Sequence, residues 1–129
     1  IRLKNSKIIW EMLKNIKSVL VPNIPNGYKH VAYRCNILLN PKYLIDGFTR
    51  DKVMTLLEKN KIKCFVGSCP EIYNEKIFNK IRKRPKKRLK NAKYVGENSL
   101  SFLVHPTISE KKIISEAKKI KKILFAITK

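Results

Sequence analysis

Acidic residues are the scarcest charged class: 9 Asp and Glu stand against 30 Lys and Arg in 129 residues. A surface this basic, with a formal charge of +21, excludes recognition of cationic partners and suits polyanions, because cations that neutralise phosphates release counterions. It also follows from a composition rich in Ile, Lys and Asn and poor in Ala, where lysine fills any solvated position, and the charge runs along the whole chain. The four glycines are scattered, so no glycine-rich loop is present to cradle a phosphate. Cys35, Cys64 and Cys69 are too few for a disulfide framework and lack zinc-finger spacing, so a reduced, cytoplasmic protein without a metal site is expected. No apolar run approaches the roughly 20 residues of a membrane helix, and no signal-peptide pattern is present. With 43% hydrophobic residues the chain is too apolar for general disorder, and its length suits one domain with a modest core.

Hydrophobic spacing supplies the elements. Ile8, Ile9, Met12, Ile16, Val19 and Leu20 recur at helical intervals, predicting a helix over residues 3–20 that Pro22 ends. Alternation over residues 30–39 predicts a strand, with Val31, Tyr33, Cys35 and Ile37 on one side. Thr49 is placed to cap a helix carrying Val53, Leu56 and Leu57 and ending near Asn60. A short strand over residues 62–66 leads into Gly67-Ser68-Cys69-Pro70, and residues 71–79 read as a turn or short helix. A short helix over 89–98, a strand over 100–104 and a final helix capped by Ser109 complete the order. Such alternation predicts an α/β fold of the layered α+β kind, a small few-stranded sheet covered by helices.

Candidate chemistry is sparse. His30 and His105 both flank strands, where a lone histidine more often makes structural hydrogen bonds, and no nucleophile–base–acid arrangement emerges, so no catalytic residue is expected in the chain. The stretch "KIRKRPKKRLKNAK" (80–93) resembles a nucleic-acid patch, which makes a small basic nucleic-acid-binding module the alternative reading. Pro85 interrupts it and no aromatic residue offers a base a stacking surface, which favours a solvated linker touching phosphates at most; Arg82, Arg84 and Arg88 are its candidate phosphate contacts. The Gly67 to Tyr73 turn combines glycine, two small nucleophile-capable side chains and a proline. That composition suits a ligand-facing loop, or equally a strand-to-helix connection capped by Ser68.

Two segments, "FVGSCPEIYNEKIF" (65–78) and "RLKNAKYVGENSLSFLVHPTIS" (88–109), resemble the C-terminal region of DegT-type (StrS-like) nucleotide-sugar aminotransferases. Leu89, Ala92, Gly96, Ser99, Leu100, Phe102 to Thr107 and Ser109-Glu110 follow that family's pattern in order. "HVAYRCNILLN" and "TRDKVMTLLEKNKIKC" resemble its preceding strand and helix, so the likeness is collinear over nearly the whole chain. Lys61 replaces the usual glycine, and "V-G-S-C-P" replaces the commoner "V-H-Y-P", so no substrate-facing histidine carries over to Ser68 or Cys69.

The resemblance implies the C-terminal small domain (26–129) of a fold-type I pyridoxal-phosphate aminotransferase, with 1–25 as a linking helix and extended passage to a large domain. Such enzymes, usually homodimers, move an amino group, generally from glutamate, to a nucleotide-linked keto sugar of the kind used in polysaccharide biosynthesis, with pyridoxal phosphate as electron sink. The family's cofactor-binding N-terminal domain, with its Schiff-base lysine and the aspartate facing the pyridine nitrogen, has no counterpart in these residues. The chain alone is therefore expected to be inactive, with its cofactor-binding residues unknown. Gly67, Ser68, Cys69, Tyr73 and His105 are the residues the resemblance points to as lining the sugar pocket.

Overall fold

A computed structural model of the chain describes residues 1–67, 69–80 and 84–129. Its helices are α1 (Arg2–Leu13), α2 (Arg50–Lys59), α3 (Ile77–Lys80), α4 (Lys90–Asn98) and α5 (Glu110–Ala126). Its strands are β1 (Val19–Leu20), β2 (Cys35–Leu39), β3 (Cys64–Val66) and β4 (Ser99–Phe102). They form one antiparallel sheet in the order β1-β2-β4-β3, so the expected mixture of helices and a small sheet is present.

Side chains alternate across the sheet. One face, carrying Cys35, Ile37, Leu39, Leu100, Phe102 and Cys64, joins a single core with Leu13 of α1, Val53 and Leu57 of α2, and Ile113, Ile120 and Leu124 of α5. Each of these large aliphatic side chains contributes about 1.5–3 kcal/mol by leaving water. The opposite face carries Asn36, Leu38, Ser99, Ser101 and Phe65. Over it lies α4, whose Tyr94 hydroxyl donates to the Leu39 carbonyl at 3.3 Å.

The helix starts follow local chemistry. Thr49 Oγ1 accepts the Lys52 amide and Ser109 Oγ the Lys112 amide, with Asp51 and Glu110 in the respective first turns, where a negative charge meets the positive helix end.

Two expectations are corrected. The helix predicted to run to residue 20 ends at Leu13, and Val19–Leu20 instead pair with Leu39 and Leu38. Successive turns (Ile16 amide to Leu13 carbonyl, Val19 amide to Ile16 carbonyl) keep burying every third residue, which imitates helical spacing. The strand predicted from residue 30 begins only at Cys35. Ala32 adopts a left-handed backbone (φ +50°) and donates its amide to His30 Nδ1 at 2.9 Å, closing a turn instead of extending the chain. Residues 1–25, read as a linking passage, contribute Ile9, Trp10, Leu13, Ile16 and Val19 to the same core as the rest.

Candidate functional site

The turn after β3 packs against the junction of α4 and β4, and glycines make the approach possible. A Cβ on Gly67 would overlap Ser99 Oγ and stand 3.1 Å from Ser99 Cβ; one on Gly96 would overlap Pro70 Cγ. The two contacts hold the turn against α4 at both its ends. Beside it opens a cleft of about 450 Å³, walled by Gly67, Cys69, Pro70 and Val95 and by Leu20 and Val21 across from them. Asn36, Leu38 and Ser99 of the open sheet face also line it.

Arg50 fixes the α4 side of this cleft. Its side chain is only 15% exposed; the guanidinium donates to the Gly96 carbonyl at 3.1 Å and reaches the Ser99 carbonyl at 3.5 Å, while Nε pairs with Asp51 at 2.5 Å. A cation at the end of α4 meets carbonyls that the helix leaves without partners. Sequence reading passed over Arg50, although it lies in the "TRD" run that resembles the family; its partners are 46 and 49 residues away.

A second clasp closes the far end of the turn. Arg88 grips Glu71 with two parallel hydrogen bonds (Nε to Oε1 2.7 Å, Nη2 to Oε2 2.5 Å), and the Tyr73 hydroxyl donates to Glu71 Oε1 at 2.6 Å. The Tyr73 oxygen also accepts the Leu89 amide at 3.0 Å, just before α4 starts. Arg88 first, then the Tyr73 hydroxyl, hold the Glu71 carboxyl down at about 2. The Tyr73 pKa is raised, by desolvation and by the adjacent carboxylate. Arg84 donates to the Asn74 and Glu75 carbonyls at 2.7 and 3.1 Å. Two arginines of the basic stretch therefore bind the turn internally and are not held out for phosphates.

The sequence-derived site residues fare unequally. Gly67 and Cys69 line the cleft together; Ser68 lies outside the described residues, as does Arg82. Tyr73 braces the turn through its hydroxyl and is not part of the cleft wall. His105 is exposed, away from that wall, with Nδ1 bonded to Thr107 Oγ1 at 2.8 Å and facing the Thr107 amide at 3.3 Å. Cys69 is an exposed thiol, whereas burial pushes Cys35 up to about 12 and Cys64 up to about 11. Among the described residues no group of His, Cys, Asp or Glu is arranged to hold a metal ion, and no helix is long and apolar enough to cross a membrane.

No protein-family model matches the chain, and no curated protein matches it by sequence. Solved structures do. An aminotransferase from Psychrobacter cryohalolentis matches 98% of this chain at 29% identity with a TM-score of 0.86, using 34% of its own length. A DegT DnrJ EryC1 StrS aminotransferase from Brucella abortus matches 97% at 19% identity, TM-score 0.72, over 30% of its length. The E. coli GDP-4-keto-6-deoxy-D-mannose-3-dehydratase, solved with bound hydrated pyridoxal phosphate, matches 96% at 15% identity, TM-score 0.75, over 30% of its length. At those identities the last two speak for the fold alone. The chain spans about a third of the length of these solved relatives. In fold, over 98% of its residues, and in the motifs read from its sequence, this chain is similar to sugar aminotransferases of the DegT/DnrJ/EryC1/StrS type.

Proposed function

We propose that this chain is the C-terminal small domain of a pyridoxal-phosphate-dependent enzyme that moves an amino group from glutamate to a nucleotide-linked keto sugar, as a homodimer in the cytoplasm. The observation that supports it is the cleft beside Gly67 and Cys69, built by motif residues of a chain 29% identical to a solved aminotransferase. The dehydratase among the structural relatives is named for a GDP-linked keto sugar, and such a substrate suits the proposed role.

The residues present do not fit the cofactor by themselves. Among the described residues the cleft wall contains no lysine to bond it, no carboxylate to face a pyridine nitrogen and no glycine-rich cradle for its phosphate. The cofactor would supply the electron sink for amino transfer and would be held by other parts of the intact enzyme. This chain's share is positioning. Leu20, Val21 and Val95 exclude water, and Asn36 offers an amide that can orient a sugar hydroxyl. Gly67 lets the turn lie close to Ser99, and Cys69 presents a small side chain beside the sugar. Tyr73 acts indirectly, through Glu71, by fixing the turn. His105 would contact substrate only from outside this cleft.

The reading frame upstream of Ile1 tests the proposal. It should encode a domain with a cofactor-bonding lysine, and the joined protein should aminate a nucleotide keto sugar with glutamate as donor while the 129-residue chain does not. A frame without that lysine-bearing segment, or a joined protein that binds no pyridoxal phosphate, rejects it.

A further inference from the structure

The open sheet face continues past Asn36, which lines both, into a second cleft of about 620 Å³. Its floor is Asn36 and Ser101, directly paired in the sheet, and its rim includes Lys29 and Arg34. Among the described residues no acidic one lines it.

Ser101 is the unusual member. It is fully buried, and among the described residues its hydroxyl has no hydrogen-bond partner. A buried hydroxyl left without a partner is costly, and native structures seldom keep one without a reason. Ser101 lies between Asn36 on β2 and Phe65 on β3. Arg34 starts beside β2, yet its guanidinium stands 5.7 Å from the centre of the Phe65 ring on β3. Between those two strands lies β4, which carries Ser101. Among the described residues Arg34 makes no ion pair, so the aromatic face is its resting contact.

We propose that this cleft binds an anion, a phosphate or a carboxylate, gripped by Arg34 and Lys29 and bonded by the Ser101 hydroxyl and the Asn36 amide. Arg34 leaves the Phe65 ring to receive it. A planar guanidinium can bind either group with two parallel hydrogen bonds, stronger than the ring contact it gives up. The neighbouring Arg2 steadies the rim, donating to the Tyr33 carbonyl at 3.0 Å with its guanidinium 5.1 Å from the Tyr33 ring centre. The site needs neither the cofactor nor amino transfer, although it shares Asn36 with the sugar cleft.

Calorimetric titration of the 129-residue chain with inorganic pyrophosphate and, separately, with succinate at fixed ionic strength tests it; the tighter titrant identifies the anion class. R34A should weaken binding about tenfold or more and S101A several-fold, as expected for loss of charge-assisted and neutral bonds. The K118A/K119A pair on α5, of equal or greater charge change, should alter it less than about twofold, the size of a screened, non-specific effect. S101A should melt no lower than the parent, because it removes an unpaired hydroxyl, so its weaker binding cannot be ascribed to unfolding. Failure of both titrants to bind overturns the proposal, as does a loss in R34A and S101A no greater than in the lysine pair.

Discussion

Gly67 lies so close to Ser99 that a Cβ at position 67 would overlap the serine hydroxyl. Ser99 is buried at the start of β4, and its carbonyl is within reach of Arg50, so it has little freedom to yield. Gly67→Ala should therefore push the turn away from α4 and cost about 1–3 kcal/mol, as overpacking generally does. Cys69, the exposed thiol of the turn, reports the displacement. Its labelling rate should rise and the melting temperature should fall, while G67A/S99G should recover much of both. Unchanged labelling and melting in G67A would show that the contact is slack.

Much of this turn was legible because glycine and proline carry their geometry locally. The caps at Thr49 and Ser109 were legible for the same reason, each acting within three residues. What joins distant segments was not. Arg88 and Glu71 are 17 residues apart, Arg50 and Gly96 are 46 apart, and no local pattern announces either pair. Periodicity misled where turns copied it: Ile16 and Val19 kept helical spacing without a helix. Alternation misled at Ala32, whose left-handed backbone interrupts the strand that Val31 and Tyr33 suggested. Tyr73, chosen as a pocket residue by its motif, turned out to be held by Glu71 and the Leu89 amide.

Gly96 pits helix propensity against packing. Replacing it with alanine inside α4 gains about 1 kcal/mol of propensity, but the new methyl group meets the Pro70 ring. Overpacking costs about 1–3 kcal/mol, so packing should prevail and G96A should be less stable than the parent. In a P70A background the obstacle is gone, and the same substitution should stabilise by about 1 kcal/mol. Chemical denaturation of the four proteins measures this change of sign. The same effect of G96A in both backgrounds would mean that the ring does not set the position of α4.

The Glu71 clasp makes the turn sensitive to acid. Its carboxyl is held at about 2 by Arg88 and Tyr73, against an ordinary value of 4.5. A depressed pKa means that the folded form binds the proton less readily than the unfolded form. The clasp is thus at full strength above about pH 4.5 and is lost as pH falls towards 2. The Leu89 amide, which donates to Tyr73, should lose exchange protection across that window after correction for the intrinsic rate. E71Q should remove the pH dependence. Protection in the parent that stays level from pH 4.5 to 2 would contradict the assigned cause.

Lys61 occupies the left-handed position (φ +60°) that ends α2, where the resembling family usually has glycine. The hydrogen bonds are those of a Schellman ending: the Lys61 amide donates to the Glu58 carbonyl at 2.8 Å, and the Ile62 amide to the Leu57 carbonyl at 3.0 Å. Ile62 and Leu57 are both buried, adding the hydrophobic contact that accompanies this motif. The left-handed backbone costs a lysine about 1–2 kcal/mol, while glycine gives back about 0.5–1 kcal/mol through its more mobile unfolded state. The conformational term is the larger, so Lys61→Gly should stabilise the chain by up to about 1 kcal/mol. Lys61→Ala, which keeps a Cβ, should not. Equal denaturation midpoints for the two variants would mean that the lysine is replaced without relief at the backbone, and that the glycine of the resembling sequences answers some need other than this turn.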